Sequence, residues 1–481
     1  MAVQVRRTGM YVLNMRARMP FRYGIATLTA LPHLFVRVEL DVDGSREVGI
    51  ASDGLAPKWF TKDPSTSVQD DIDDMLTVIR TACRLAEETG PRPTVFDLWQ
   101  AVYAAQGRWA AARDYPPLLW GFGVSLVERA VIDAFCRLQG TSFATALRAN
   151  LFGIRLGELH QELAGLALAQ LLPEAPLRST LARHTVGLAD PLTDGEIADS
   201  DRVDDGLPQS LEASIRSYGL TRFKVKLWGD PDQDLPRLRR VASVLAAHAP
   251  DYAFTLDGNE QYHDVGAFRA FWETLRGDGS LAPFMQRLLF VEQPLHRDVA
   301  LSAAVERAQT RWRDRPPMIV DESDGLIESL PRALRCGYAG TSHKNCKGVF
   351  KGIANACLLE RLRRLDPAGA YVLSGEDLAS VGPVAMVQDL MVATNLGITH
   401  VERNGHHYFT GLSMYPDDVQ TAVLAAHSDL YRRHERGYAT LRIEHGVLQL
   451  GSIVDAPFGL QPQIDVTRFV PIEQWRFATL E

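Results

Sequence analysis

From about residue 220 onward, short apolar runs alternate with amphipathic stretches. The runs are RFKVKLW, YAFTLD, LLFVEQP, PMIVDES, GTSHKNC, AYVLSGED and ITHVERN, separated by helical patterns such as DLPRLRRVASVLAAHA, VGAFRAFWETLR and GIANACLLERLRRL. Alternation at this pace predicts a parallel sheet with crossover helices, and seven strand candidates over roughly 200 residues predict a barrel rather than an open sheet. The first part of the chain reads differently. HLFVRVELDVDG alternates and ends in a turn at Asp43-Gly44, and DVDGSREVGIASDG looks like the return of a hairpin. Residues 66–150 read as helices, with Val124, Val127, Val131 and Phe135 on one face at helical spacing. Residues 172–210, rich in Pro, Asp, Gly and Ser, read as a linker.

Composition narrows the class. A chain of 481 residues with 46% hydrophobic and 23% charged residues is an ordinary globular protein, long enough for one large and one smaller domain. A net charge of −8 argues against a nucleic-acid footprint. No apolar run approaches the ~20 residues that span a bilayer, and the start MAVQVRRTGMYVLNMRARMP lacks the apolar block of a signal peptide, so a cytoplasmic protein is expected. The cysteines (Cys83, Cys136, Cys336, Cys346, Cys357) are odd in number and scattered, which suits reduced thiols better than a disulfide frame or a zinc site. No GxGxxG follows a strand, which argues against a dinucleotide fold.

The candidate chemistry lies at the strand ends. Asp257, Glu292 and Asp321 each close an apolar run, on three consecutive strand candidates. In a parallel α/β barrel the strand C-termini share one face, where active sites sit. Asp257 alone could be a turn residue and Asp321 alone a helix cap, but three carboxylates on one rim call for a cation, and hard oxygen donors suit Mg²⁺. Lysine is scarce among the 51 basic residues, yet Lys224 and Lys226 sit one residue apart in a strand, and Lys344, Lys347 and Lys351 cluster after another. Unlike arginine, lysine can give up its proton when burial and neighbours lower its pKa. Strand alternation sends Lys224 and Lys226 to one side and Phe223, Val225 and Leu227 to the other. The rim order Lys, Asp, Glu, Asp, Lys then places an amine on each side of a metal-bound substrate.

These residues resemble the enolase superfamily, in its muconate-lactonizing and mandelate-racemase branches. The pattern K-x-K, D-x-N, E-Q-P, D-E and a lysine on the next strand reads here as Lys224-Val-Lys226, Asp257-Gly-Asn259, Glu292-Gln-Pro294, Asp321-Glu322 and Lys344. The resemblance implies a TIM-like (β/α)7β barrel (residues 186–435), an N-terminal α+β capping domain (1–185) and a C-terminal segment (436–481) that returns to the cap. It implies one Mg²⁺ per subunit on Asp257, Glu292 and Asp321, and Lys226 and Lys344 as acid–base catalysts on opposite faces of the substrate carbon. Lys224 is expected to lower the pKa of Lys226 by like-charge repulsion, with Asn259 and Glu322 supporting the metal. The segments MPFRYGIATLTALPH and GIASDGLAPKWF correspond to cap loops that select substrate. Glu376 stands where a mandelate-type racemase would have histidine, and Glu402 and His406 are candidates to hold the substrate carboxylate, with barrel closure or surface exposure equally open to them. The Gly-Gly pair usual after the sixth-strand lysine is missing; HKNCKGVFKG has single glycines, which leaves Lys347 as a rival to Lys344.

The expected activity is abstraction of the α-proton of a small carboxylate substrate through an enediolate, leading to racemisation, epimerisation or cycloisomerisation. An acid-sugar dehydratase is the alternative; a metal-dependent hydrolase or aldolase and a non-catalytic binding barrel are further ones. The resemblance also implies a homo-oligomer. Neither nucleic acid nor membrane is expected as a partner.

Overall fold

The computed structural model describes residues 1–480. β1 (Val3–Tyr23), β2 (Ala26–Val42) and β3 (Ser45–Gly54) form an antiparallel sheet, against which α1 (Val68–Glu88), α2 (Val95–Ala111) and α3 (Pro117–Leu138) gather. The β2–β3 turn has φ of 51° at Asp43 and 88° at Gly44, as a two-residue hairpin of the expected hand requires. MPFRYGIATLTALPH is not a free loop: Tyr23 pairs with Ala26, so the segment is the closed end of a long hairpin with an irregular register after Arg16. α1 opens on a capping box, in which the Ser67 hydroxyl accepts from the Asp70 amide and the Asp70 carboxylate accepts from the Ser67 amide. α3 lies hard against β3, because a Cβ at Gly49 would stand 2.1 Å from the carbonyl oxygen of Ala130. Across that seam Asp133 accepts from the Ile50 amide at 3.0 Å, and the Arg129 guanidinium reaches the Ser52 carbonyl at 3.0 Å and Asp53 at 2.8 Å.

The second domain is a closed barrel. β4 (Ser179–Val186), β5 (Arg222–Lys226), β6 (Ala253–Asp257), β7 (Leu288–Glu292), β8 (Met318–Val320), β9 (Gly340–His343), β10 (Val372–Gly375) and β11 (His400–Arg403) are parallel neighbours in chain order, and β11 pairs with β4 to close the ring. Seven of these strands coincide with the apolar runs. β4 does not: it lies inside the 172–210 segment read as linker, and the expected domain boundary at 185/186 falls within it. Its barrel-facing Arg183 and Thr185 are polar, and Thr180 and His184 on its other face are polar and buried as well, so hydrophobic alternation could not reveal it. The expected eight-stranded barrel stands, with this correction to where it begins.

β12 (Tyr431–Arg433) and β13 (Ala439–Leu441) form a hairpin, and β14 (Val447–Gln449) runs antiparallel to β4. β15 (Val470–Pro471) pairs with β1, and the Trp475 indole donates to Asn14 Oδ1 at 3.0 Å, which ties the tail to the cap. All five cysteines are buried and free. Among the described residues no helix is long and apolar enough to cross a membrane.

Candidate active site

Strand register assembles the site. Lys226 on β5 is the in-register partner of Asp257 on β6, and Asp257 is that of Glu292 on β7. Asp321 follows β8 directly. The C-terminal rim of β5–β8 thus presents one ammonium and three carboxylates in chain order. Lys224, one pleat lower, points into the barrel, while Phe223 and Val225 are buried on the helix side.

Lys224 is the hub. Its Nζ lies 3.1 Å from Asp257, 2.8 Å from Glu292, 2.9 Å from Glu376 and 3.1 Å from Glu402, all within the barrel. Burial works against the Lys224 charge, but Asp257, Glu292, Glu376 and Glu402 outweigh it and hold its pKa well above the ordinary lysine value. Glu292 is pushed up by burial and then by Glu376, which favours its protonated form. Glu376 also pairs with the fully buried Arg183; burial opposes its charge, yet Arg183 and Lys224 bring it down to about 2. Lys224 thus stands beside Lys226 with its own charge compensated by four carboxylates.

The two remaining candidate amines each face an acid. Lys226 Nζ donates to Asp257 and to Asn259 Oδ1, both at 2.9 Å. Lys344 Nζ donates to Asp321 Oδ2 at 2.7 Å, and the Trp59 ring lies 4.4 Å from that ammonium. Burial opposes the Lys344 charge, but Asp321 outweighs it and raises the pKa above that of an ordinary lysine. Lys347 reaches the other oxygen of Asp321 at 3.1 Å, so both rivals contact the same carboxylate.

A small cavity of about 40 Å³ opens on these groups, with Lys224, Lys226, Asp257, Asn259, Asp321, Glu322, Lys344 and Glu402 in its barrel wall and Phe21, Tyr23, Leu28, Ala56 and Trp59 in its cap wall. Lys347, Glu376 and His406 are not in that wall. His406 instead packs on His184, with 3.2 Å between Nε2 and Nδ1, and burial holds both rings neutral. The larger concavity, about 710 Å³, lies at the opposite end of β8–β10 beside Arg315 and Tyr338, away from the carboxylates. Chemistry rather than volume locates the site, and backbone strain agrees. Of the ten non-glycine residues with positive φ among the described residues, five border the rim: Lys62, Asn259, Glu260, Gln293 and Ala379.

No family model matches the chain, and no curated protein matches it in sequence. Solved structures do match. A mandelate racemase/muconate lactonizing protein from Herpetosiphon aurantiacus superposes with a TM-score of 0.56 at 17% identity, covering 95% of this chain and 98% of that one. An enolase from Bradyrhizobium, solved with magnesium and mandelic acid, gives 0.57 at 14% identity over 98% and 99% of the two chains. The N-succinyl Arg/Lys racemase from Bacillus cereus gives 0.55 at 14% identity over 92% and 95%. The chain has the mandelate racemase/muconate lactonizing fold.

That fold raises the question of a divalent metal. As the side chains stand, no group of three or more His, Cys, Asp or Glu among the described residues is arranged to hold an ion; lysine ammonium groups bridge the carboxylates instead. The donor set nevertheless fits a hard cation. Asp257 and Glu292 already meet on one nitrogen, Asp321 follows on the next strand, and every donor is oxygen. Beside them the buried Glu322 has an oxygen with no partner, and burial followed by Asp321, Glu260 and Asp257 pushes its pKa up to about 7. A carboxylate in surplus over the local cations is what an added positive charge would relieve.

The sequence reading missed Asn404, whose buried Oδ1 is unpartnered in the cavity wall, and the second tie between cap and barrel. In that tie Arg297 donates to the Trp59 and Phe60 carbonyls, both at 2.8 Å, while gripping Glu260 at 2.7 Å, and Lys62 bonds the Asn259 carbonyl. Asn404 carried the signal of a strand end; Arg297 carried none.

Proposed function

We propose that the chain is an enolase-superfamily enzyme that abstracts the α-proton of a small carboxylate substrate, as a racemase, epimerase or cycloisomerase. One observation carries this reading. Lys226 and Lys344 line the same small cavity, from β5 and β9, which are four strands apart in either direction around an eight-stranded ring. Amines entering from diametrically opposite strands address opposite faces of one carbon. A general acid or base so placed contributes roughly 10²–10⁴-fold. Asp321 keeps Lys344 in its charged form, so this amine is set to deliver a proton. In this reading Lys226 gives up the proton it shares with Asp257 and, as the neutral amine, takes the α-proton from the other face. Asp257, Glu292 and Asp321 would hold Mg²⁺, with Asn259 and Glu322 beside them. Bound there, the metal supplies Lewis-acid stabilisation of the charge that develops on the substrate carboxylate. Asn404 orients that carboxylate through its side-chain amide, Glu402 stays committed to Thr185, Lys224 and the Asp377 amide, and the cap wall excludes water.

The reading includes a homo-oligomeric, cytoplasmic protein with neither nucleic acid nor membrane as partner. Elimination of water from an acid sugar begins with the same proton abstraction, and the apolar cap wall disfavours it. The test is α-deuterium incorporation in D₂O with Mg²⁺ and a library of α-substituted carboxylates. Exchange that is lost in Lys226→Ala and in Lys344→Ala is expected. Exchange that survives both substitutions would refute the two-amine assignment.

A further inference from the structure

We infer that the substrate carries a compact apolar group, aromatic or branched aliphatic, on its α-carbon, and that polyhydroxylated and cationic side groups are excluded. This rests on the proton-abstraction reading and specifies its substrate class. The cavity is chemically two-sided. Every charged or amide group in it belongs to the barrel, whereas the cap contributes Phe21, Tyr23, Leu28, Ala56 and Trp59 and no charged or amide side chain. Leu378 extends the same surface beyond β10.

The cap groups are committed elsewhere in ways that keep this wall apolar. The Tyr23 hydroxyl donates to the Pro57 carbonyl at 2.9 Å. Phe21 stacks on Tyr408 with 4.0 Å between ring centroids, so neither ring is free to turn aside for a polar group. The nearby cations are occupied as well. Arg18 grips Asp205 through Nη2 at 2.8 Å and reaches the His407 carbonyl at 3.0 Å, and Lys62 bonds the Asn259 carbonyl and lies 3.4 Å from Glu260. The cavity wall itself holds no cap cation to pair a distal anion and no cap acid to pair a distal cation.

The barrel wall is nearly saturated too. Asp377 accepts from the Ser380 and Asn404 amides, and Glu402 from Thr185, Lys224 and the Asp377 amide. The unpartnered oxygens of Asn404 and Glu322, together with the lysines, are enough for one carboxylate and one α-substituent such as a hydroxyl. Further hydroxyls on a sugar chain would meet only hydrocarbon and aromatic rings. An apolar pocket disfavours an added hydroxyl by roughly 10²-fold.

The test compares three arms with the wild-type chain in Mg²⁺ and D₂O: an α-hydroxy acid bearing phenyl or branched alkyl, a six-carbon aldonic acid, and an N-acyl amino acid with a cationic side chain. Exchange is read by NMR and binding by thermal shift. The expected result is exchange at least ~10²-fold faster in the first arm, with Leu28→Gln narrowing the gap to the aldonic acid by about tenfold or more. If Leu28→Gln does not fold by its thermal midpoint, Ala56→Ser takes its place. Preference for the aldonic acid or the cationic acyl amino acid overturns this inference and leaves the proton-abstraction reading standing. Selective binding of the apolar acid without exchange in any arm supports the inference and overturns that reading. Neither binding nor exchange in any arm overturns both.

Discussion

Replacing Lys224 by methionine tests the charge hub directly. The side chain keeps its length and loses its charge, leaving four buried carboxylates that now converge on one nitrogen within 2.8–3.1 Å. Three of them retain other partners: Asp257 keeps Lys226, Glu376 keeps Arg183, and Glu402 keeps Thr185. Glu292 keeps the least. Removing one partner of a buried ion pair costs roughly 3–5 kcal/mol, a large share of the 5–15 kcal/mol typical of a domain. The loss at pH 8, without divalent cation, should therefore be about 3–5 kcal/mol in urea unfolding, with an unchanged m-value. Its pH dependence has a definite sign. A carboxyl stripped of its cation has a folded pKa above its unfolded value, so the folded variant binds the extra proton. The deficit is then full above the folded pKa and shrinks by about 1.4 kcal/mol per pH unit as pH falls toward the unfolded value. Magnesium should stabilise the variant more than the wild type, because ligand binding to the folded state adds about 2.7 kcal/mol at a hundredfold excess over Kd. A variant within about 1 kcal/mol of wild type at pH 8, or one whose deficit is the same at pH 8 and pH 5.5, would refute the hub.

Three further outcomes are expected. His33 is fully buried, and burial followed by Arg129 lowers its pKa to about 3, so as pH drops below 6.5 only the unfolded chain takes up that proton. Relative to wild type, His33→Phe should therefore gain about 2 kcal/mol at pH 5, read from urea midpoints, and parallel pH profiles would sink the assignment. Gly49→Ala forces a Cβ to 2.1 Å from the Ala130 carbonyl and must part β3 from α3, at a cost of at least the 1–3 kcal/mol usual for overpacking; a thermal midpoint equal to wild type would show that the seam is looser than described. Arg297→Ala frees the Trp59 and Phe60 carbonyls, so limited proteolysis should cut within residues 55–63 at least several-fold faster, and unchanged cleavage would mean that the loop is held by packing alone.

The parts of the molecule legible in the sequence are those in which one residue type repeats with the period of one element. Most of β5–β11 could be read because their outward faces are apolar and their ends carry an acid or a lysine. β4 could not, because it is polar on both faces: Arg183 and Thr185 turn into the barrel, where they meet Glu376 and Glu402, and Thr180 and His184 are buried on the other side. At the site, the sequence separated Lys226 and Lys344 by strand order, and closure of the ring sets them opposite each other. It could not place Glu376 and His406, since a strand-end residue reaches either the cavity or the packed interior depending on how far along the axis it stands. Glu376 fell to the Lys224–Arg183 interior, and His406 to a packed contact with His184 behind the wall.

The placement of the few lysines has a second cause besides the one their chemistry first suggests. Every lysine of the chain is in an ion pair, and Lys224, Lys226, Lys344, Lys347 and Lys351 are all buried. Buried arginines sit where a planar fork finds a carboxylate flanked by backbone carbonyls. Arg129 spans the Ser125 and Ser52 carbonyls and Asp53, and Arg183 spans the Gly375 carbonyl and Glu376. Lys224 faces acids from four separate strands that close on a single point, a task for a compact charge with rotatable donors rather than a rigid fork. Two demands then select lysine in this chain: under the proposed function Lys226 and Lys344 need an amine able to exchange a proton, and the site around Lys224 needs a small cation. The same side chain meets both because an ammonium on a flexible stem can donate to a single acid at the cavity wall, as Lys226 and Lys344 do, or gather several acids at one point, as Lys224 does.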